Sequence, residues 1–183
     1  MKHGRRCVVQ TLSIILTSSA VLLLVFAMVS PHWHVGKRWF SALGFFCFVN
    51  KEHREVCRYM NEDLSNEGRL RSGLFNIFQG MEMSAILFGI ISVVCGIVFT
   101  TCVRPTYFFM LSVFNLLAAV TSCVGIGTVF YFAGRWHHHD SSSPGGISFW
   151  MAITADVLFV FGAALGLATY KVEVKEKDKE VFQ

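Results

Sequence analysis

Four long apolar stretches, separated by polar segments, form the main pattern of this chain. The stretches cover residues 8–30, 83–103, 106–133 and 146–170. The first three contain no Asp, Glu, Lys or Arg, and the fourth contains only Asp156. A helix needs roughly 20 apolar residues to cross the hydrocarbon core of a bilayer, so each stretch is long enough to span one. The pattern predicts a membrane protein with four transmembrane helices.

A soluble all-α domain is the alternative to this prediction. Such a domain would have to hide every face of four uncharged helices within 183 residues. The surface-to-volume ratio of so small a domain does not allow that. The hydrophobic share of 54% agrees with the membrane alternative. We therefore expect one all-α membrane domain over residues 1–183, with no separate soluble domain.

Charged residues next to the spans predict which side each segment faces. The number of Lys and Arg does not decide it, because eight lie in the tails and the turn at Arg104 and eight lie in the other two loops. Charges next to the first span carry the most weight, and Lys2, Arg5 and Arg6 adjoin it. We expect cytosolic tails at 1–7 and 171–183, extracellular loops at 31–80 and 134–145, and a plasma-membrane location.

The tail at 171–183 alternates Lys with Glu or Asp. This composition is typical of a flexible segment or of a short helical extension. Lysines close to a membrane favour anionic lipids, but the acids between them offset most of that attraction.

Four of the cysteines lie where chemistry can modify them. Cys47 and Cys57 lie in the predicted extracellular loop. An oxidising compartment favours a disulfide there, and closing a loop of about ten residues contributes roughly 2–3 kcal/mol. Cys7 and Cys102 lie at predicted cytosolic span ends and are candidates for palmitoylation. An ordinary role as small apolar residues is the favoured alternative for those two.

Small residues recur at four-residue spacing within the spans, and Gly162 and Gly166 form a GxxxG pair. Small side chains let helices approach closely, which matters in lipid because no hydrophobic force drives helices together there. In a four-helix bundle such faces more often pack internally than dimerise the protein. We expect four glycines in the bundle core: Gly89, Gly96, Gly162 and Gly166.

Asp156 is the acid that lies deep within a predicted span, and we expect no second intramembrane acid beside it. Burying an ionised carboxylate costs several kcal/mol, so Asp156 should face the bundle, hydrogen-bond or hold a proton. At its depth the third span offers Thr121 and Ser122, and the first span offers residues 17–19. A structural hydrogen-bond clamp is the favoured interpretation. A partner-binding or ion-linked role is the alternative.

Histidines gather at the predicted outer side, with His32 and His34 after the first span and a run at 137–139 in the second loop. Such a group could bind zinc or sense acidification. Adjacent histidines are poorly placed to bind one ion together, and only Asp140 could complete a site. We therefore expect a solvated polar loop, no metal site and no cofactor.

The segment after the first span carries a family signature. Trp33 comes first, Gly44-Phe45-Phe46-Cys47 follows, and Cys57 completes the order. This order resembles the tryptophan, Gly-Leu-Trp, cysteine, cysteine signature of the claudin and peripheral-myelin-protein superfamily. That superfamily also contains epithelial membrane proteins, lens-fibre protein, clarins and calcium-channel gamma subunits. The likeness covers nearly the whole chain, but the two phenylalanines in place of Leu-Trp, and a cysteine directly after them, separate it from the true claudins.

The resemblance implies a left-handed four-helix transmembrane bundle with a small extracellular antiparallel β-sheet. It also implies that Trp33 and residues Gly44, Phe45 and Phe46 anchor this sheet at the membrane surface. The residues themselves agree, because the aromatic runs at 39–40 and 45–48 have high strand propensity.

The chain contains no pattern that resembles catalytic machinery, such as a Gly-rich phosphate loop, His-Glu-x-x-His or Gly-x-Ser-x-Gly. A transporter would show interrupted helices and several polar residues at the midplane. The basic residues form no stripe with aromatics between them, which argues against nucleic-acid binding. We expect neither an enzyme nor a protein with a small-molecule substrate.

The resemblance implies a regulatory or auxiliary subunit that lies in the bilayer and assembles with another integral membrane protein, or with copies of itself. A junctional adhesion or barrier component is the second hypothesis. The altered Gly-Leu-Trp element and the final Gln183, which lacks the hydrophobic side chain that a PDZ groove accepts, count against it. A paracellular pore former is the third, and the mixed charge of the first loop argues against that.

Overall fold

In a computed structural model, the described part of the chain folds into four long helices and four short strands. In chain order the elements are α1 (Lys2–Val29), β1 (His34–Val35), β2 (Trp39–Ala42), β3 (Phe45–Val49), β4 (Glu55–Tyr59), α2 (Asn66–Cys102), α3 (Thr106–Trp136) and α4 (Ile147–Val181). The structure describes the backbone of these elements together with Ser30 and Gly146. It describes side chains over residues 8–30, 76–98, 106–128, 146–172 and 174–175.

Each helix contains a segment long and apolar enough to cross a bilayer. These segments are Val8–Val29, Asn76–Val98, Thr106–Thr128 and Ile147–Val172. The prediction of an all-α protein with four membrane-length helices is therefore confirmed. The second segment begins at Asn76, before the predicted start at residue 83, and α2 itself begins at Asn66 within the predicted loop.

Buried positions recur on each helix with a seven-residue period. On α1 they are Ser13, Thr17, Ala20, Leu24 and Ala27, with steps of four, three, four and three residues. On α2 they are Phe78, Glu82, Ala85, Gly89, Ser92 and Gly96, with the same alternation. Steps of three and four keep the buried residues of a helix on one face. Each helix thus buries a single stripe, and the apolar residues outside it are half-buried or exposed where their side chains are described.

Contacts within the chain define two compact units. The first unit comprises Met1–Leu22, Ala85–Val120 and Ala155–Gln183, and the second comprises Leu23–Ser84 and Thr121–Thr154. Within the first unit, each of the four helices contacts the other three. Within the second unit, α2 contacts α3 through Ser122, and α4 contacts the end of α1 through Ser148.

The four strands belong to the second unit and pair in chain order, each antiparallel to the next. β2 pairs with β3 so that Trp39 lies opposite Phe48. β3 pairs with β4 so that Cys47 lies opposite Cys57. A meander of this kind needs only short connections, because antiparallel neighbours can be joined by tight turns.

The fourth helix does not end with its apolar segment. The apolar segment stops at Val172, whereas α4 continues as a helix to Val181. Of the two alternatives for the tail, the structure therefore has the helical extension.

Candidate functional site: polar clusters inside the helix units

A cluster of uncharged polar groups lies inside the first unit. Ser13 Oγ donates a hydrogen bond to the carbonyl oxygen of Gly162 at 3.0 Å. Asn115 Nδ2 donates to Thr17 Oγ1 at 2.9 Å, and Thr17 Oγ1 donates to the carbonyl oxygen of Ser13 at 2.9 Å. We call Ser13, Thr17, Asn115 and Gly162 the neutral cluster. It joins α1, α3 and α4 through side chains that need no charge.

The neutral cluster is closed at van der Waals contact. A Cβ atom built on Gly162 would lie 2.8 Å from Asn115 Nδ2 and 2.9 Å from Thr17 Oγ1. Real Cβ atoms do not come that close to other heavy atoms, so any larger residue at position 162 must displace a hydrogen-bonded partner. The absence of a side chain at Gly162 leaves room for the hydrogen bond between Asn115 and Thr17.

The other three glycines predicted in the core are also buried, and each faces a neighbouring helix. A Cβ on Gly89 would lie 2.6 Å from Val21, and one on Gly96 would lie 2.8 Å from Ile14. A Cβ on Gly166 would collide with the hydroxyl oxygen of Ser112. Close approach of helix backbones at small residues is the usual source of tight packing in lipid. The glycines therefore set the helix spacing within the first unit.

A second polar contact in the first unit ties α2 to α3. Ser92 Oγ donates to the carbonyl oxygen of Leu111 at 2.9 Å, and both residues are fully buried. The ring of Phe88 on α2 stacks on that of Phe114 on α3, with centroids 6.2 Å apart. These contacts and the neutral cluster give the first unit polar links between three pairs of helices.

A fully buried acid lies in the second unit. Glu82 is 0% exposed, although it lies within the apolar segment of α2. Ser122 Oγ donates to Glu82 Oε1 at 3.4 Å, and a Cβ on Gly125 would lie 2.8 Å from the same oxygen. We call Glu82, Ser122 and Gly125 the acid cluster. The prediction that the spans hold no second acid beside Asp156 is therefore wrong.

The sequence does contain a signal for Glu82. Ala85, Gly89, Ser92 and Gly96 form a stripe of small residues, and one step of three residues back from Ala85 reaches Glu82. The predicted span begins at residue 83 because the uncharged stretch starts directly after Glu82. An acid on the buried stripe costs less than one facing lipid, because it can hydrogen-bond to the neighbouring helix. Asn115 carries no comparable signal, because a neutral amide within an apolar stretch does not mark which face of the helix is buried.

Asp156 lies in the first unit and is 7% exposed. It therefore faces the protein interior, as an acid within a span is expected to do. Ser122, one of its two predicted partners on α3, donates its hydrogen bond to Glu82. The clamp between Asp156 and Thr121 or Ser122 stays a prediction.

Several predicted site residues lie outside the part of the chain that the structure describes. These are Trp33, Gly44, His32 and the histidine run at 137–139. For Cys7 and Cys102 the structure describes only their helical backbone, and for Phe45, Phe46, Cys47 and Cys57 only their strand backbone. Among the described residues, no group of three His, Cys, Asp or Glu side chains is placed to hold a metal ion.

The two clusters are arranged for holding helices together. In the neutral cluster, each of the three hydrogen bonds described above has an uncharged donor and acceptor, so the cluster gains interhelical attraction without burying a charge. The acid cluster buries a carboxyl group against a hydroxyl and a glycine, which is the more expensive arrangement.

No protein-family model matches the chain, and no curated protein matches it.

Proposed function

We propose that this protein is a regulatory or auxiliary subunit of the plasma membrane, a divergent relative of the claudin and peripheral-myelin-protein superfamily, that assembles with another integral membrane protein. In this proposal both termini are cytosolic, and β1–β4 form an extracellular cap on a left-handed four-helix bundle. The protein acts through its surfaces and carries out no reaction of its own.

The closed interior of the first unit is the observation that carries this proposal. Four glycines hold the helices so close that a Cβ at any of them would lie 2.8 Å or less from a neighbouring helix. A water-filled path needs space and several free polar groups between helices. Here the space is filled, and three hydrogen bonds of the neutral cluster occupy the hydroxyls of Ser13 and Thr17 and the amide nitrogen of Asn115, which leaves Asn115 Oδ1 as the unpartnered oxygen of the cluster. Such an interior supports a scaffold rather than a pathway.

The outer faces of the helices supply surface for a partner within the bilayer. Large apolar side chains are exposed along all four apolar segments, among them Ile15, Leu87, Val120 and Phe161. In lipid these side chains cost nothing to expose, and a transmembrane helix of another protein can pack on them by shape. Another integral membrane protein is therefore the proposed partner, with a second copy of this chain as the variant to be separated by experiment.

The backbone register of β3 and β4 supports the proposed disulfide. Cys47 and Cys57 are direct partners across the antiparallel pair. The Cα atoms of such partners lie about 4.5–5.5 Å apart, within the range of about 4.4–6.8 Å that a disulfide bridges. A disulfide here would be consistent with a sheet that faces an oxidising compartment.

The period of the buried stripes supports the proposed handedness of the bundle. A straight α-helix has 3.6 residues per turn, so a stripe with a seven-residue period drifts slowly around it. Helices keep such stripes in contact by winding around one another with a left hand. The stripes on α1 and α2 both have this period over the residues whose burial is described.

The test is expression of the tagged full-length chain in cells that form no junctions. We expect diffuse surface staining, and purification with one integral membrane protein in a fixed ratio. Subunit counting by single-molecule photobleaching separates this complex from a homo-oligomer. Enrichment at cell–cell contacts would instead favour the adhesion hypothesis, and a membrane conductance that rises with expression would favour the pore.

Paired cysteine variants test whether the sheet takes part in assembly. Cys47→Ser with Cys57→Ser should reduce the complex at equal surface level, because the cap loses its cross-link. Cys95→Ser is the control, since Cys95 is a free cysteine within α2. An intact complex in the double variant would show that the cap takes no part in assembly.

A further inference from the structure

Two adjacent serines lie at the middle of the apolar segment of α1. Ser18 follows Val8 by ten residues, and Ser19 precedes Val29 by ten. When this segment crosses a bilayer, both hydroxyl groups therefore lie near the midplane, where lipid chains offer no hydrogen-bond partner. A hydroxyl group at that depth is stabilised only by a polar group of a protein.

These two hydroxyl groups differ from others that face outwards in the spans. Ser84 on α2 and Thr154 on α4 have exposed hydroxyl groups that donate to backbone carbonyl oxygens one turn earlier in their own helices. Within the part of the chain that the structure describes, neither Ser18 nor Ser19 forms such a bond. Each of the two serines therefore keeps one donor and two acceptor lone pairs for another partner.

The two serines lie on the outward face of α1. Ile15 and Leu22 mark this face, because they are 54% and 58% exposed. At about 100° per residue, Ser18 and Ser19 lie on either side of these two residues and within about 60° of both. Both serines are half-buried and smaller than their neighbours, so they form a notch between two large aliphatic side chains. We call Ile15, Ser18, Ser19 and Leu22 the serine notch.

We propose that the serine notch binds the serine notch of a second copy of this chain. All copies cross the membrane in the same direction, so two α1 helices pair in parallel and their serines lie at equal depth. A serine hydroxyl group both donates and accepts, so the paired serines satisfy one another. Small side chains at the contact let the two helices approach closely. Because both copies use the same patch, the contact closes as a two-fold dimer.

A second copy is the proposed occupant because it brings the required polar groups at the required depth. Lipid chains bring none, and a helix of another protein would need its own polar group at the midplane. The contact uses the outward face of α1 and leaves those of α2, α3 and α4 for another integral membrane protein. It therefore goes beyond the proposed function and does not rest on it.

The test uses the full-length protein alone in liposomes, over a range of protein-to-lipid ratios. Förster transfer between donor-labelled and acceptor-labelled copies measures the dissociation constant of the dimer. We expect the wild type to dimerise, and Ser18→Ala with Ser19→Ala to raise this constant by about 5-fold or more, because hydrogen bonds between the helices are lost. Alanine is the best helix former, and circular dichroism checks that the variant remains helical.

Ser84→Ala with Thr154→Ala is the matched control. It also removes two exposed hydroxyl groups, but their hydrogen bonds stay within their own helices. We expect less than about a 2-fold change in the dissociation constant. A wild type that is monomeric at every ratio would overturn the proposal. So would an equal rise in both double variants, or an unchanged constant in Ser18→Ala with Ser19→Ala. Because these liposomes contain no other protein, none of these results decides whether the proposed complex with another membrane protein exists.

Discussion

Two polar clusters, one in each unit of the helical region, hold helices together by different means. In the first unit the buried polar groups around Gly162 are neutral, and the three hydrogen bonds of the neutral cluster are 3.0 Å or shorter. In the second unit a fully buried glutamate receives a hydroxyl at 3.4 Å. Neutral hydrogen bonds in lipid contribute modestly and cost little, whereas a buried carboxyl group is expensive. The neutral cluster thus stabilises helix packing, whereas the acid cluster lowers the free energy of unfolding.

Replacement of a core glycine should give the largest effect. Gly162→Ala forces Asn115 or Thr17 to move and breaks the bond between them, so we expect the free energy of unfolding to fall by about 1–3 kcal/mol. Unfolding by SDS in mixed micelles measures it. Gly127→Ala is the control, because a Cβ there meets nothing within 4 Å. It should be neutral or stabilising by up to about 1 kcal/mol. Equal losses in both variants would mean that helix spacing is not set at Gly162.

Neutralising the buried acid should give an effect of the opposite sign. Glu82→Gln keeps the shape of the side chain and an acceptor oxygen for Ser122, and it replaces a group that can ionise by an amide that never carries a charge. We expect the free energy of unfolding to rise by about 1 kcal/mol in the same assay. A fall of that size would mean that the acid itself is needed, as at an ion-linked site. Such a result would indicate that the acid cluster has a functional role and that the neutral cluster serves packing alone.

Single hydroxyl deletions should give the smallest effects and rank the two clusters. Ser13→Ala removes a 3.0 Å bond to α4, and we expect it to lower the free energy of unfolding by about 0.6 kcal/mol. Ser122→Ala removes a 3.4 Å bond and should cost less, because hydrogen bonds weaken with length. A larger loss of the free energy of unfolding for Ser122→Ala would show that the acid cluster depends on this hydroxyl more than the 3.4 Å length of its hydrogen bond suggests.

The coarse fold could be predicted because lipid imposes one strong rule. A chain must satisfy its backbone within the bilayer, so an apolar stretch of sufficient length becomes a helix. The same rule misses Glu82. A predicted span that ends at its first charged residue excludes an acid that a neighbouring helix accommodates. Asn115 shows a related limit. A neutral amide leaves the hydropathy pattern of α3 almost unchanged, and its bond to Thr17 depends on residues 98 positions apart in sequence.

The small residues were the most informative part of the sequence. Gly89, Gly96, Gly162 and Gly166 all lie at contacts between helices in the first unit. Gly127 shows that the presence of a glycine in a span does not by itself indicate a helix contact, because it lies in the same apolar segment as Ser122 yet is exposed. Which face of a helix is buried follows from the whole stripe, and a single glycine does not reveal it.

Labelling of lysines on intact cells tests the account most directly. The proposal of four spans with cytosolic termini places Lys51 outside the cell and Lys175 inside it. An amine reagent that cannot cross the membrane should therefore modify Lys51 in intact cells and reach Lys175 only after permeabilisation, as read by mass spectrometry of the purified chain. Modification of Lys175 in intact cells, with Lys51 protected, would contradict the account.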